Sequence, residues 1–216
     1  MDLVELQNDI LPCLEKSIKF SFLNGLNIHT PIGGKFAELY VASELWKFEP
    51  KLGQQRGSVG VSRPGSCDIV LAKTRKKLEV KWAMCHHGQD DPFFNKCRIP
   101  FWGWGFSSGK QFKDKKFDYC ILVAAEKDGA YPEHVFVIKS EEMTEETMGG
   151  PRSSGVNSRS FYLEFSHDKN FYDKRPWPKD DKRPEHKKCS PLEKDLFKNR
   201  EKYEKRWEEL KERGTL

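Results

Sequence analysis

The stretch Asp68-Ile-Val-Leu-Ala-Lys-Thr-Arg-Lys-Lys-Leu-Glu79-Val-Lys81 reads as a β-hairpin that gathers two carboxylates and an amine on one face. Residues 67–72 are rich in Ile, Val and Leu, and Leu78, Val80 and Trp82 alternate with Lys77, Glu79 and Lys81. The polar residues 73–76 supply the turn. Alternation puts Glu79 and Lys81 on the same side of their strand. With a turn of those four residues, Ala72 faces Lys77, Val70 faces Glu79 and Asp68 faces Lys81. Asp68 and Glu79 are then diagonal neighbours, with Cβ atoms up to about 7–8 Å apart and side chains able to converge on one ion. A slip of one residue would turn Asp68 to the opposite face, so this register is a sharp structural expectation.

Charged residues make up 33% of the chain, and an acid followed by Glu-x-Lys also arises by accident in such a composition. Glu209-Leu-Lys211 has the same form, but it lies in a Glu/Lys-rich stretch with helical spacing and reads as a solvated helix face. Only the first copy combines strand-like alternation with a second carboxylate in register. Upstream, Thr30-Pro-Ile-Gly-Gly-Lys-Phe-Ala-Glu38-Leu-Tyr-Val-Ala-Ser-Glu-Leu-Trp-Lys47 opens on a helix-start signal, Thr followed by Pro. At helical spacing Glu38 shares a stripe with Val41, Ala42 and Leu45, whereas Glu44 projects elsewhere. A carboxylate on an apolar stripe needs a partner. Glu38 is therefore either a helix residue reaching solvent or a backbone cap, or a third acidic group beside a metal site.

Glu38 in a helix, then Asp68, then Glu79-Val-Lys81 on a hairpin, resembles the PD-(D/E)xK nuclease superfamily, which includes many restriction endonucleases and junction resolvases. The resemblance spans roughly residues 33–125. Cys67 stands where the nominal motif has proline, a substitution that family tolerates. The resemblance implies an α/β fold: a restriction-endonuclease-like αβββαβ core with a mixed central sheet flanked by helices. Ser108-Gly-Lys110-Gln111-Phe-Lys113 stands for its second helix, and Phe117-Asp-Tyr-Cys-Ile-Leu-Val-Ala-Ala125 for the following strand.

The resemblance also implies metal-dependent phosphodiester hydrolysis leaving a 5′-phosphate and a 3′-hydroxyl. Asp68 and Glu79, with the Val80 carbonyl between them, would offer hard oxygen ligands suited to Mg²⁺, with Mn²⁺ able to substitute. The ion would lower the pKa of a bound water and neutralise charge on the scissile phosphate. Lys81 would orient and deprotonate that water or stabilise the pentavalent transition state. Glu38 would ligate a second ion, hold a metal-bound water or orient Lys81.

A chain of 216 residues can bury one good core and a small appendage. Its formal charge of +5 is compatible with a polyanionic partner without naming one. No apolar stretch reaches membrane-spanning length and Met1-Asp-Leu-Val-Glu carries no signal-peptide pattern, so a soluble cytoplasmic or otherwise intracellular protein is expected. The six cysteines form no Cys-x-x-Cys pair and read as reduced, mostly packed thiols.

Three segments are expected: a nuclease core with an N-terminal helical cover over residues 1–166, a basic Pro-rich linker or arm over 167–191, and a charged C-terminal helix over 192–216. Residues 3–24 read as one or two helices interrupted by Pro12, and residues 49–61 as a connection into a first strand. His134-Val-Phe-Val-Ile-Lys139 should extend the sheet, Phe161-Tyr-Leu-Glu-Phe165 should form an edge strand, and residues 149–159 should be a loop. In the C-terminal helix, Leu192, Phe197, Tyr203, Trp207 and Leu210 are available for packing, and the alternating charges read as a solvated face. A dimer contact through its aromatic residues, or a clamp on DNA through the basic linker, is the alternative use.

Cys85, His86, His87 and Cys97 are zinc-ligand types, but their spacing matches no common finger and they read as loop residues lining the cleft. Phe101-Trp-Gly-Trp-Gly-Phe106 reads as a packed loop with glycine turns, its rings otherwise available to stack on bases. Arg56, Arg63, Lys110, Gln111, Arg152 and Arg159 are the candidates for substrate contact, since Arg and Gln can read base edges or bind phosphate. The reading is a Mg²⁺-dependent DNA endonuclease of type II restriction type, cutting double-stranded DNA as a homodimer because two sites suit two antiparallel strands. The alternatives are a junction-resolving or repair nuclease and, from another class, a non-catalytic DNA-binding or assembly protein retaining the fold.

Overall fold

In the computed structural model, residues 2–24, 29–52, 67–85, 100–107, 116–126, 129–149, 152–153, 159–169, 171 and 189–216 are described. Their centre is a five-stranded mixed sheet in the order β1 (Pro50–Leu52), β2 (Ile69–Leu71), β3 (Lys77–Met84), β5 (Tyr119–Ala125), β6 (Pro132–Lys139). The β3–β5 pair is parallel and the other pairs antiparallel. Every residue of β5 is buried, as a strand covered on both faces requires. The protein is thus a mixed α/β structure whose mixed central sheet is flanked by helices.

One face of the sheet carries Leu78, Val80, Tyr119, Ile121, Val123, Val135 and Val137 beneath two helices. These are α3 (His29–Glu44), which contributes Ala37, Val41, Ala42 and Leu45, and α6 (Arg200–Arg213), which contributes Trp207 and Leu210. Close approach of α3 depends on Gly33, where an added Cβ would fall 2.6 Å from ring carbons of Trp82 on β3. The other face carries Ala83, Cys120, Leu122, Ala124, Phe136 and Ile138. A second sheet, ordered β4 (Trp102–Ser107), β8 (Arg159–Phe165), β7 (Arg152–Ser153), covers it with Trp102, Trp104, Phe106, Leu163 and Phe165.

Several expectations change here. The aromatic run 101–106 is a strand, not a loop, and its alternate rings are core rather than free to stack on bases. Residues 161–165 form the middle strand of the second sheet, not an edge of the first. Part of 149–159 is β7 and its pairing with β8. Residues 50–52, expected within a connection, are already the strand β1.

Pro12 does not interrupt the first helices. Between α1 (Leu3–Glu5) and α2 (Leu11–Leu23) lies a π-helical turn over Leu6–Ile10, in which the Leu11 N–H reaches back to the Leu6 carbonyl. The wider turn places Pro12 in the first turn of α2, where its missing N–H costs least.

The C-terminal stretch is two helices, α5 (Pro191–Lys198) and α6, parted at Asn199. It is not a solvated rod, because Leu192, Leu196 and Tyr203 join the second-sheet core while Trp207 and Leu210 join the α3 core. Polar ties hold it there. Arg206 donates two bonds to Glu142, at 2.6 and 2.8 Å, and the α5 cap is a reciprocal Ser190–Glu193 box. Buried Glu193 also accepts from the Glu164 N–H at 3.0 Å, tying α5 to β8 beyond its α4 (Glu145–Met148) neighbour. Glu209-Leu-Lys211 lies on α6, where Lys211 pairs with Glu208 and Glu44, as a helix-face reading requires. The five described cysteines form no disulfide.

Candidate active site

The hairpin forms in a register that differs from the expected one by two residues. Ile69 pairs with Leu78 and Val70 with Lys77, and the Leu71 N–H donates to the Lys76 carbonyl across a connection of residues 72–75. The expected pairs Ala72–Lys77, Val70–Glu79 and Asp68–Lys81 are therefore corrected. The turn starts one residue earlier and closes through Arg75, whose φ of 58° lies in the left-handed region and lets the chain return. Because side chains alternate with a period of two, an even shift leaves every residue on its expected face. The ladder pairs end at Ile69–Leu78, and Asp68 stands immediately before β2.

The backbone then fixes the aspartate. Its N–H donates to the Leu78 carbonyl at 3.0 Å, and its Oδ2 accepts from the Val80 N–H at 2.7 Å. N–H and C=O of one strand residue point to the same side, so the Val80 carbonyl is directed toward the Asp68 side as well. Glu79 and Lys81 project with Ala83 toward the second sheet. Lys81 Nζ lies 2.6 Å from Glu79 Oε1 and 5.8 Å from the centre of the Phe106 ring. The Glu79 side chain is only 5% exposed.

Glu38 joins from the α3 layer. It accepts from Lys35 Nζ at 2.5 Å, and its charge is felt by Glu79 while it feels those of Asp68 and Lys81. Burial pushes the Glu38 carboxyl up against the opposing pull of Lys35. Burial likewise raises Asp68 despite the Val80 N–H, and raises Glu79 despite Lys81. Burial works downward on the Lys81 ammonium, but Glu79 and Asp68 outweigh it and its pKa stands above the ordinary value. Among the described residues, three carboxylates and two ammonium ions thus share a partly buried group.

Neither a known family model nor a curated protein matches this chain.

Of the sequence-derived candidates, Glu38, Asp68, Glu79 and Lys81 come together, with Val80 as their backbone link. Arg56, Arg63, Lys110 and Gln111 lie outside the described residues, as do the expected helix at 108–113, the basic residues Lys174, Arg175, Lys182, Arg183, Lys187 and Lys188, and His86, His87 and Cys97. Arg152 and Arg159 sit on β7 and β8, where Arg152 pairs with Ser160 and Ser153 with Arg159. Cys85 is buried and in no disulfide. Lys35 was not among the candidates; its signal was the three-residue spacing to Glu38, which makes the two helix neighbours. Phe106 was missed as a wall of the site because its strand was read as a loop.

Proposed function

We propose that this chain is a Mg²⁺-dependent DNA endonuclease that hydrolyses phosphodiester bonds in duplex DNA, of the type II restriction kind and working as a homodimer. The observation that carries the reading is the coupling of Glu38, Asp68, Glu79 and Lys81, drawn from a helix, a strand entry and a strand, into one partly buried group. The order α3, β1, β2, β3 and then β5 parallel to β3 agrees with the PD-(D/E)xK core in the described elements.

By residue type the donor set suits a hard divalent cation, although the oxygens of Glu38, Asp68 and Glu79 do not all lie within 4.8 Å of one another. Asp68 and Glu79 would supply carboxylate oxygens with the Val80 carbonyl on the same side, and burial raises both carboxyls, as a site that binds a cation in place of protons would. When bound, such an ion supplies Lewis acidity toward phosphate and water. The protein's own groups do the rest. The Val80 N–H holds Asp68 in place. Lys81, paired with Glu79 at 2.6 Å, supplies a positive charge at the phosphorane oxygens or orients the attacking water. Glu38 orients Lys35, whose side chain is 44% exposed and offers a second ammonium to the substrate backbone.

The test is incubation with linear duplex, a four-way junction and single strands, in Mg²⁺, Mn²⁺ or EDTA, using the native protein, Lys81→Ala and Asp68→Asn. Discrete duplex fragments in metal alone, lost in both variants, are expected. Junction-only cutting would give the site to a resolving or repair nuclease instead. A folded native protein that binds DNA and cuts none of these would leave a non-catalytic binding role.

A further inference from the structure

A second group of ligand-type side chains lies on the far edge of the main sheet. His134 Nε2 and His167 Nε2 are 3.0 Å apart, and Glu133 Oε1 lies 3.6 Å from the first and 3.7 Å from the second. Among the described residues this is the only cluster of three such side chains whose ligand atoms converge. Neighbours in a regular strand point to opposite faces, which would keep Glu133 away from His134. The strand is not regular here: Ala125 pairs with Pro132 while Ala124 pairs with His134, so Glu133 is the extra residue of a β-bulge. Bulges re-aim side chains in this way. His167 arrives from the other sheet, two residues past the end of β8.

We propose that Glu133, His134 and His167 bind one divalent transition-metal ion of the zinc type, which clips the second sheet to the edge strand of the first. The three ligand atoms form a triangle whose equidistant point lies about 2.0 Å from each, the length of a zinc–nitrogen or zinc–carboxylate bond. Two imidazoles and one carboxylate select zinc, cobalt, nickel or copper over Mg²⁺. A further carboxylate supports the first histidine: Glu204 Oε1 lies 2.7 Å from His134 Nδ1, the outer-shell arrangement that orients metal-bound histidines.

The partners also assign the protons. His134 Nδ1–H donates to Glu204, which leaves the Nε2 lone pair directed at the site. Arg200 donates to His167 Nδ1 at 3.2 Å, so His167 carries its proton on Nε2 and gives it to His134. Metal binding moves that proton from Nε2 to Nδ1 with none released, and Arg200 withdraws to Glu204, whose Oε2 is already 3.5 Å from its Nε. Arg200 is therefore a competitor of the ion.

The experiment is titration of metal-free, full-length protein with Co²⁺, followed by displacement with Zn²⁺. One equivalent should give the intense visible bands of a four- or five-coordinate nitrogen/oxygen site, and Zn²⁺ should bleach them. His134→Ala and the exposed His167→Ala should lose the bands while keeping the native far-UV circular dichroism. Glu204→Gln should weaken binding by about 10- to 100-fold, and Arg200→Gln should tighten it. Asp68→Asn should keep the bands, because an all-oxygen site gives only weak six-coordinate absorption. Bands that persist in His167→Ala, a thiolate-to-cobalt charge-transfer band, or no saturable binding by the native protein would each overturn the assignment.

Discussion

Gly33 and Gly34 are adjacent in α3, yet alanine should act on them in opposite directions. In a helix interior, Gly→Ala is favourable by about 0.8–1.0 kcal/mol at either position. Around Gly34 an added Cβ meets no described residue within 4 Å, so Gly34→Ala should realise that gain. At Gly33 the Cβ would sit 2.6 Å from three Trp82 ring carbons, and ordinary contact requires that helix and strand separate by about 1 Å. Such overpacking costs about 1–3 kcal/mol. Helix propensity cancels between the two variants, which leaves overpacking as their difference. For a chain of this size that difference separates their melting temperatures by about 2–4 °C per kcal/mol. Urea unfolding and thermal melts of both variants would measure it. If the proposed Mg²⁺ site holds, Gly33→Ala should also shrink the thermal shift on adding Mg²⁺, because α3 carries Glu38 to the strand carboxylates, whereas Gly34→Ala should leave it intact. If Gly33→Ala melts at or above Gly34→Ala, the close approach of α3 to Trp82 is not what sets this layer.

The pH response of the metal-free protein follows from the raised carboxyls. In the folded state Glu38, Asp68 and Glu79 hold their protons more tightly than in the unfolded chain, so folding binds protons. Their contribution to stability is most favourable below the unfolded values of 3.8 and 4.5 and is lost as pH rises through the folded ones. Asp68→Asn should therefore melt higher than the native protein at neutral pH in EDTA and, on the proposed Mg²⁺ site, show no thermal shift with Mg²⁺; an equal or lower melting point in EDTA would contradict a destabilising buried charge at Asp68. Glu193→Ala should destabilise by about 1–3 kcal/mol for each buried N–H it orphans, those of Ser190 and Glu164, and a loss below about 0.5 kcal/mol in urea unfolding would mean that the α5 tie to β8 is dispensable.

The hairpin shows how local chemistry can be legible before its geometry is. The turn began one residue early, and all three expected cross-strand pairs were displaced, yet Glu79 and Lys81 keep their common face and the charges of Asp68, Glu79 and Lys81 still meet. Strand alternation is a property of the chain itself, and so is the helical stripe that put Glu38 with Val41, Ala42 and Leu45. β5 and β6 were readable for the same reason, as apolar runs bounded by turn residues.

What the sequence could not carry was which surface meets which. Trp102, Trp104 and Phe106 alternate as a strand should, but only the presence of β8 beside them and the Cys120–Leu122 face beneath turns a Gly-containing aromatic run into a buried sheet. The charged α6 looks solvated until Trp207 and Leu210 find the far face of the same sheet. Lys35 becomes part of the site only because α3 lies against β3. Glu133, His134 and His167 are far apart in sequence or badly phased along a strand, and a bulge and a sheet-to-sheet contact bring them together. Periodicity is encoded residue by residue and read from one segment. Contacts between layers depend on two segments at once, and the tertiary structure alone decides them.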